Sequence, residues 1–112
     1  WETRRSRHPN QDWILAQLGA RGQAQVVELD TNHFKGNYPD RCSIEVIDAP
    51  STRITDLIRS TGWHTVVPET KLSAHTRHFF EHLPAVTASH VRLNIFPDGG
   101  VSRLRLWGRR VD

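Results

Sequence analysis

Cysteine and long apolar segments are scarce in this 112-residue chain. The single cysteine, Cys42, excludes an intrachain disulfide and favours a reducing compartment, for which we expect the cytoplasm. No apolar run reaches the length of a membrane span and no segment resembles a signal peptide, so we expect no membrane partner. Since the chain begins at Trp1 without a methionine, we expect it to be a piece of a longer protein.

Lysine is nearly absent too, and arginine carries most of the positive charge. The formal net charge is only +3, although Lys and Arg together number 15. A nucleic-acid surface would need a denser basic stripe with interleaved aromatic residues, so we expect no nucleic-acid partner. Because the planar guanidinium binds carboxylates through two hydrogen bonds, the composition favours a small anionic ligand instead.

The apolar pattern has a period of two residues and predicts strands. Residues 90–96 alternate apolar and polar side chains, and residues 101–107 do so again after the turn sequence 97–100. We expect a hairpin there, because Asp and Gly tolerate positive φ. In that hairpin Arg92 and Asn94 would point outward beside Arg103, where a bound anion or a paired acid would offset the like charges. The alternative is a solvated face whose arginines pair with Glu28 or Glu45.

Shorter strands and turns complete the expected fold. Such strands, punctuated by Gly and Pro, predict one all-β domain with the architecture of an antiparallel sandwich. We expect further strands at 13–18, 25–29, 43–47 and 66–67, and single turns of helix near Thr55 and Thr76.

The segment from Asp30 to Asp40, DTNHFKGNYPD, is the most informative stretch of the chain. It collects a carboxylate, an imidazole, an ammonium, an amide and a phenol directly after the expected strand 25–29. Polar groups on a loop held by a strand are typical of binding and catalytic sites. The alternative is a polar surface turn in which Asp30 and Asn37 cap the backbone amides of their own loop.

Other chemistries find less support in the sequence. His75, His78 and His82 would share a helix face and could bind zinc, but no HExxH motif accompanies them, so ordinary histidines are favoured. Cys42 lies in no catalytic motif, and neither a GxSxG elbow nor a glycine-rich phosphate loop occurs. Acid–base or electrostatic chemistry remains.

Several sequence blocks follow one another in order over essentially the whole chain. They are WETRR (1–5), DW (12–13), DTNHFKGNYPD (30–40), PETKL (68–72), TRHFFE (76–81) and HVRLNIFPDGGVSRLRLWG (90–108). These blocks resemble the allantoicase family. The resemblance implies a jelly-roll β-sandwich, galactose-binding-domain-like, and hydrolysis of allantoate to ureidoglycolate and urea in purine breakdown.

The family is built from two homologous repeats, and this chain resembles the second. We therefore expect residues 1–112 to be a single repeat domain of a longer two-repeat protein, which packs on its sister repeat or self-associates. The alternative to catalysis is a jelly-roll module that binds a ligand or supports assembly without turnover.

Allantoate carries a carboxylate and two ureido groups, and its recognition defines the expected site. We place this site where the 30–40 loop meets the 97–100 turn and the segment 76–81. A divalent metal could activate the water, but the sequence requires no cofactor and we assign no metal ligand. The expected acid–base residues are Asp30, His33 and His78, and the expected substrate-binding residues are Lys35, Asn37, Arg92, Asn94 and Arg103.

Overall fold

The computed structural model describes residues 3–8, 11–34, 36, 38–96 and 99–111, with side chains from Asp12 onward. Every strand pairing within these ranges is antiparallel, which confirms the predicted all-β sandwich. The elements are β1 (Thr3–His8), β2 (Gln11–Asp30), β3 (Arg41–Ile47), α1 (Ile54–Leu57), β4 (His64–Lys71), β5 (Arg77–Phe80), β6 (Thr87–Phe96) and β7 (Arg103–Arg110).

Strand β2 belongs to both layers of the sandwich. Its first half pairs with β1 and β6, and its second half pairs with β5 and β7. A register shift between Gln17 and Gly22 marks the bend. The prediction of two separate strands, at 13–18 ending at Gly19 and at 25–29, was therefore wrong. A bulge lets one strand of 20 residues turn and exchange partners without ending.

The first layer has the order β1-β2-β6-β3-β4, and the second layer has β2 between β5 and β7. Alternating residues of both layers meet in one core, which includes Ile44, Val91 and Leu93 from the first layer and Val27 and Leu29 from the second. Burial of these side chains stabilises each layer against the other, at roughly 25 cal/mol per Å² of apolar surface. On the outer side of the first layer, helix α1 adds a second, smaller apolar cluster.

The predicted hairpin between residues 90–96 and 101–107 was wrong. Both segments are strands, but β6 pairs with β2 and β3, whereas β7 pairs with β2. The connection between them crosses from one layer to the other, because the apolar side chains Leu104 and Leu106 pack on the core from the opposite side. Arg92 and Arg103 consequently lie on opposite outer faces of the sandwich.

The helical turn predicted near Thr55 is confirmed by α1, but the one predicted near Thr76 was wrong. Residues 77–80 form β5, which pairs with the last residues of β2, 27–30. His75 and His82 have φ angles of 49° and 56°, so neither can belong to a right-handed helix. The shared helical face of the three histidines therefore does not exist. No helix within the described ranges is long and apolar enough to cross a membrane.

Candidate functional site

Thr31 holds two connections together at one end of the sandwich. Its side chain is buried, and its Oγ1 donates to the carbonyl oxygen of Ser73 at 2.7 Å and accepts from the backbone N–H of Thr76 at 3.0 Å. Its own N–H donates to the carbonyl oxygen of Thr76 at 2.9 Å. The loop after β2 is thus tied to the β4–β5 connection by side-chain and backbone hydrogen bonds.

The β6–β7 connection reaches the same end of the molecule. The backbone N–H of Ser102 donates to the carbonyl oxygen of Asp30 at 2.8 Å, and a Cβ on Gly100 would lie 2.0 Å from the ring of Phe34. Only glycine allows that approach of backbone to ring. The structure therefore brings together the loop after β2, residues 73–77 and residues 99–102.

Two exposed imidazoles meet at this junction. The backbone N–H of His33 donates to Nδ1 of His75 at 2.8 Å, and the two ring centroids are 5.9 Å apart. Because Nδ1 of His75 accepts this bond, its ring hydrogen is placed on Nε2, where it can be donated. Both residues have positive φ, 73° for His33 and 49° for His75. Such backbone strain is concentrated at functional sites.

Asp30 and His78 are engaged with nearby backbone groups. The carboxylate of Asp30 is buried and accepts from the backbone N–H of Asn32 at 2.8 Å and from its side-chain amide at 3.2 Å. Nε2 of His78 accepts from the N–H of Ser73 at 2.9 Å, so Nδ1 carries the hydrogen and donates to the carbonyl oxygen of Leu29 at 3.1 Å. Both side chains therefore support the loops that carry His33 and His75.

Arg92 and Asn94 lie elsewhere, on the outer side of the first layer. Arg92 forms a bidentate pair with Glu45, at 3.1 and 3.0 Å, and its guanidinium stacks 4.4 Å from the ring of Trp63. The buried amide of Asn94 donates to the same carboxylate at 2.7 Å. The expected grouping of Arg92 and Asn94 with Arg103 was wrong, since the carboxylate of Glu45 takes the place of a bound anion.

Of the other predicted residues, Arg103 lies at the same end of the sandwich as Asp30, and two lie outside the described residues. Arg103 is exposed and lies opposite Asp30 in the pairing of β7 with β2. Lys35, Asn37 and the turn residues Pro97 and Asp98 lie outside the described residues.

A cavity of about 290 Å³ opens into the sandwich at this end. Apolar side chains of β2 and β6 line it together with Phe34 and the two glycines that precede β7. Asp12, which is 1% exposed, is the carboxylate in this lining. Apolar pockets with one or a few polar groups are typical binding sites. Asp12 was not predicted as a site residue from the sequence, because it stands at the start of an apolar strand segment. The one feature that could have indicated it is its place in the DW block, which resembles the family.

A larger cavity of about 400 Å³ lies at the opposite end, between the bend of β2 and the end of β7. Its lining contains arginines but no histidine and no carboxylate, so it offers no acid–base pair.

A cysteine nucleophile and a metal centre are not supported by the geometry. Cys42 is buried in the core, and burial raises the pKa of its thiol to about 12, so the reactive thiolate is scarce at neutral pH. Among the described residues, no group of three or more His, Cys, Asp or Glu side chains is placed to hold a metal ion.

Comparison with known proteins connects this geometry to one family. A family model described as "Allantoicase repeat" matches residues 1–111. Probable allantoicases from Rhizobium meliloti (strain 1021) and Pseudomonas aeruginosa (strain LESB58) are 47% and 50% identical to this chain and match 100% and 97% of it. The chain covers 35% and 34% of those proteins, so it spans about a third of the length of the curated relatives it matches.

Solved structures of allantoicases also resemble this chain. A structure of allantoicase and that of the Saccharomyces cerevisiae enzyme superpose with a TM-score of 0.75 at 36% and 35% identity, over 96% of this chain and 31% of theirs. The C-terminal domain of a chitobiase from Bacteroides fragilis superposes with a TM-score of 0.69 at 14% identity, over 94% of this chain and 68% of its own. Likeness at that identity shows the fold alone, and it agrees with the predicted galactose-binding-domain-like jelly roll.

Proposed function

This chain belongs to the allantoicase family, and on that premise we propose that it is one repeat of a ureide hydrolase. The substrate would be allantoate, and the products would be ureidoglycolate and urea, within cytoplasmic purine breakdown. The observation that carries the proposal is the pair of exposed, positive-φ imidazoles of His33 and His75 at the end of the sandwich that also holds the Asp12 cavity.

The reaction needs one base and one acid. A water oxygen bonds to the carbon that carries both ureido groups, the bond from that carbon to one ureido nitrogen breaks, and the departing urea takes up a proton. His33 is the proposed base that accepts the proton of the water. The same proton is then returned from His33 to the departing urea. His75 is the proposed hydrogen-bond donor to the leaving ureido group, because its Nε2–H is directed away from the backbone bond at Nδ1.

Substrate recognition is assigned to the same loop and to the facing strand. Lys35 and Arg103 are the proposed partners of the substrate carboxylate, since ammonium and guanidinium groups form charge-assisted hydrogen bonds with carboxylates. Asn37 is the proposed amide partner of a ureido group. Asp30 and His78, which we first considered as acid–base groups, are proposed to position this loop through the backbone bonds described above.

The greater length of the relatives suggests what else the whole enzyme contains. Because the chain spans about a third of them, we propose that the whole enzyme contains a second homologous repeat and that activity belongs to the longer polypeptide. Binding of allantoate without turnover would instead support a non-catalytic ligand-binding module.

The test is to incubate the parent polypeptide with allantoate and to quantify urea and ureidoglycolate. We expect the two products in equal amounts, together with weaker or absent turnover by the isolated chain. Folding is checked by circular dichroism and allantoate binding by calorimetry. A folded parent polypeptide that binds allantoate and releases no urea would identify a binding module. One that neither binds nor hydrolyses allantoate would contradict both versions of the proposal.

A further inference from the structure

The outer face of the second layer carries an unusual combination of side chains, which we call the arginine–aromatic face. It consists of Glu28 from β2, Arg77 and Phe79 from β5, and Arg105 and Trp107 from β7. In the strand register Glu28 lies opposite both Phe79 and Arg105. These side chains point away from the core because their neighbours along each strand, such as Leu29 and Leu106, point into it.

Glu28 is fully buried although it points outward from the sheet. Nε of Arg77 donates to its Oε2 at 2.6 Å, whereas the nearest nitrogen of Arg105 is 3.7 Å from its Oε1. Within the part of the chain that the structure describes, Oε1 accepts no hydrogen bond. A buried carboxylate is costly unless its oxygens are fully hydrogen-bonded. The burial of this carboxylate therefore depends on the two exposed arginines that lie over it.

The same face exposes two large aromatic rings. Phe79 is 49% exposed and Trp107 is 45% exposed, and they flank Glu28 on the two strands beside β2. The guanidinium of Arg77 lies 5.1 Å from the ring centroid of Phe79. Aromatic residues and arginine are enriched at protein–protein interfaces, where they supply much of the binding energy. The composition is that of an interface.

The charge on the face restricts what can cover it. Arg77 and Arg105 are exposed, whereas the carboxylate of Glu28 between them is buried, so the accessible charge of the face is positive. A second copy docking through the same face would bring arginine against arginine, which is unfavourable. A different surface with carboxylates around an apolar centre would fit.

We infer that the arginine–aromatic face is where the other repeat of the same polypeptide packs. The matched family model describes a repeat, and the relatives are about three times as long as this chain, so a further repeat must be accommodated. That repeat would cover Phe79 and Trp107 and offer carboxylates to the arginines. The inference rests on the two-repeat organisation proposed above.

Hydroxyl-radical footprinting of the wild-type protein tests this inference without a substitution. Side-chain oxidation is compared between the parent polypeptide and the isolated chain by mass spectrometry. We expect oxidation of Phe79 and Trp107 to be about fivefold or more lower in the parent, because burial in an interface excludes water from exposed rings. Ile58, which is 37% exposed beside α1 on the other outer face, is the internal control and should be oxidised equally in both.

Equal oxidation of Phe79 and Trp107 in the two proteins would overturn the inference. Protection in the parent that disappears on dilution would also overturn it, since that result identifies contact between copies. Failure of the proposed function is separate: protection without urea release contradicts only the hydrolase proposal, and urea release without protection contradicts only the interface.

Discussion

Replacing Thr31 by valine tests how the loop after β2 is held to the β4–β5 connection. The threonine hydroxyl donates to the carbonyl oxygen of Ser73 and accepts from the N–H of Thr76, and valine has the same shape without either bond. Each lost bond costs about 0.5–1.5 kcal/mol, and more where a backbone group stays unsatisfied. Since Ser73 is exposed and Thr76 is half-buried, water can replace part of the loss.

The expected destabilisation by Thr31→Val is therefore about 2 kcal/mol in the free energy of unfolding. For a domain of this size that corresponds to a decrease in Tm of about 8 °C. Urea unfolding followed by tryptophan fluorescence measures the first quantity, and calorimetry measures the second. Thr55→Val, on the exposed side of α1, is the matched control and should lie within about 0.5 kcal/mol of wild type. If the two variants were equally stable, the hydroxyl would not hold the junction.

Three further outcomes are expected. Gly108→Ala should lower the free energy of unfolding by about 2 kcal/mol or more in urea unfolding. The reason is that the alanine Cβ would lie 2.0 Å from the carbonyl oxygen of Gln23. A variant as stable as wild type would refute this close approach. Cys42 should react with a thiol reagent only after unfolding, since burial raises its pKa to about 12, and rapid reaction of the folded chain would contradict its burial. The hydrogen bond from Arg21 lowers the pKa of Asp48. This ion pair therefore stabilises the fold at pH values above the ordinary carboxyl pKa, and its contribution is lost as the pH falls through the lowered pKa. Arg21→Met should raise the pKa of Asp48 in an NMR titration.

The sequence predicts the strands of this fold better than it predicts their partners. Alternation located β3 and β6 because the apolar side chains of each point to one face, and that pattern is local. The same pattern does not indicate which neighbour a strand pairs with, so the segment of β7 was wrongly joined to β6. The continuous β2 was missed because Gly19 looks like an end, whereas the bend beside it lets the strand serve both layers.

The candidate site was only partly predictable for a related reason. Polar groups concentrated in the segment 30–40 directed attention to this loop, and the structure places residues 73–77 and 99–102 beside it. The pairing of His33 with His75 depends on two positive-φ residues that are distant in sequence, and spacing alone suggested a helix instead. Arg92 was assigned to a substrate, with Glu28 or Glu45 as the alternative partner, because the pairing of β3 with β6 that places Glu45 beside it is not visible in a local pattern.

Turnover of allantoate by His33→Asn in the parent polypeptide tests the central claim most directly. Asparagine tolerates positive φ, and the backbone N–H that bonds to His75 remains, so the substitution removes the imidazole alone. His82→Asn is the matched control, because His82 is also exposed with positive φ but follows the end of β5 that is remote from Thr31. We predict a kcat about a hundredfold or more below wild type for His33→Asn and a wild-type kcat for His82→Asn. A wild-type kcat in His33→Asn would contradict the account.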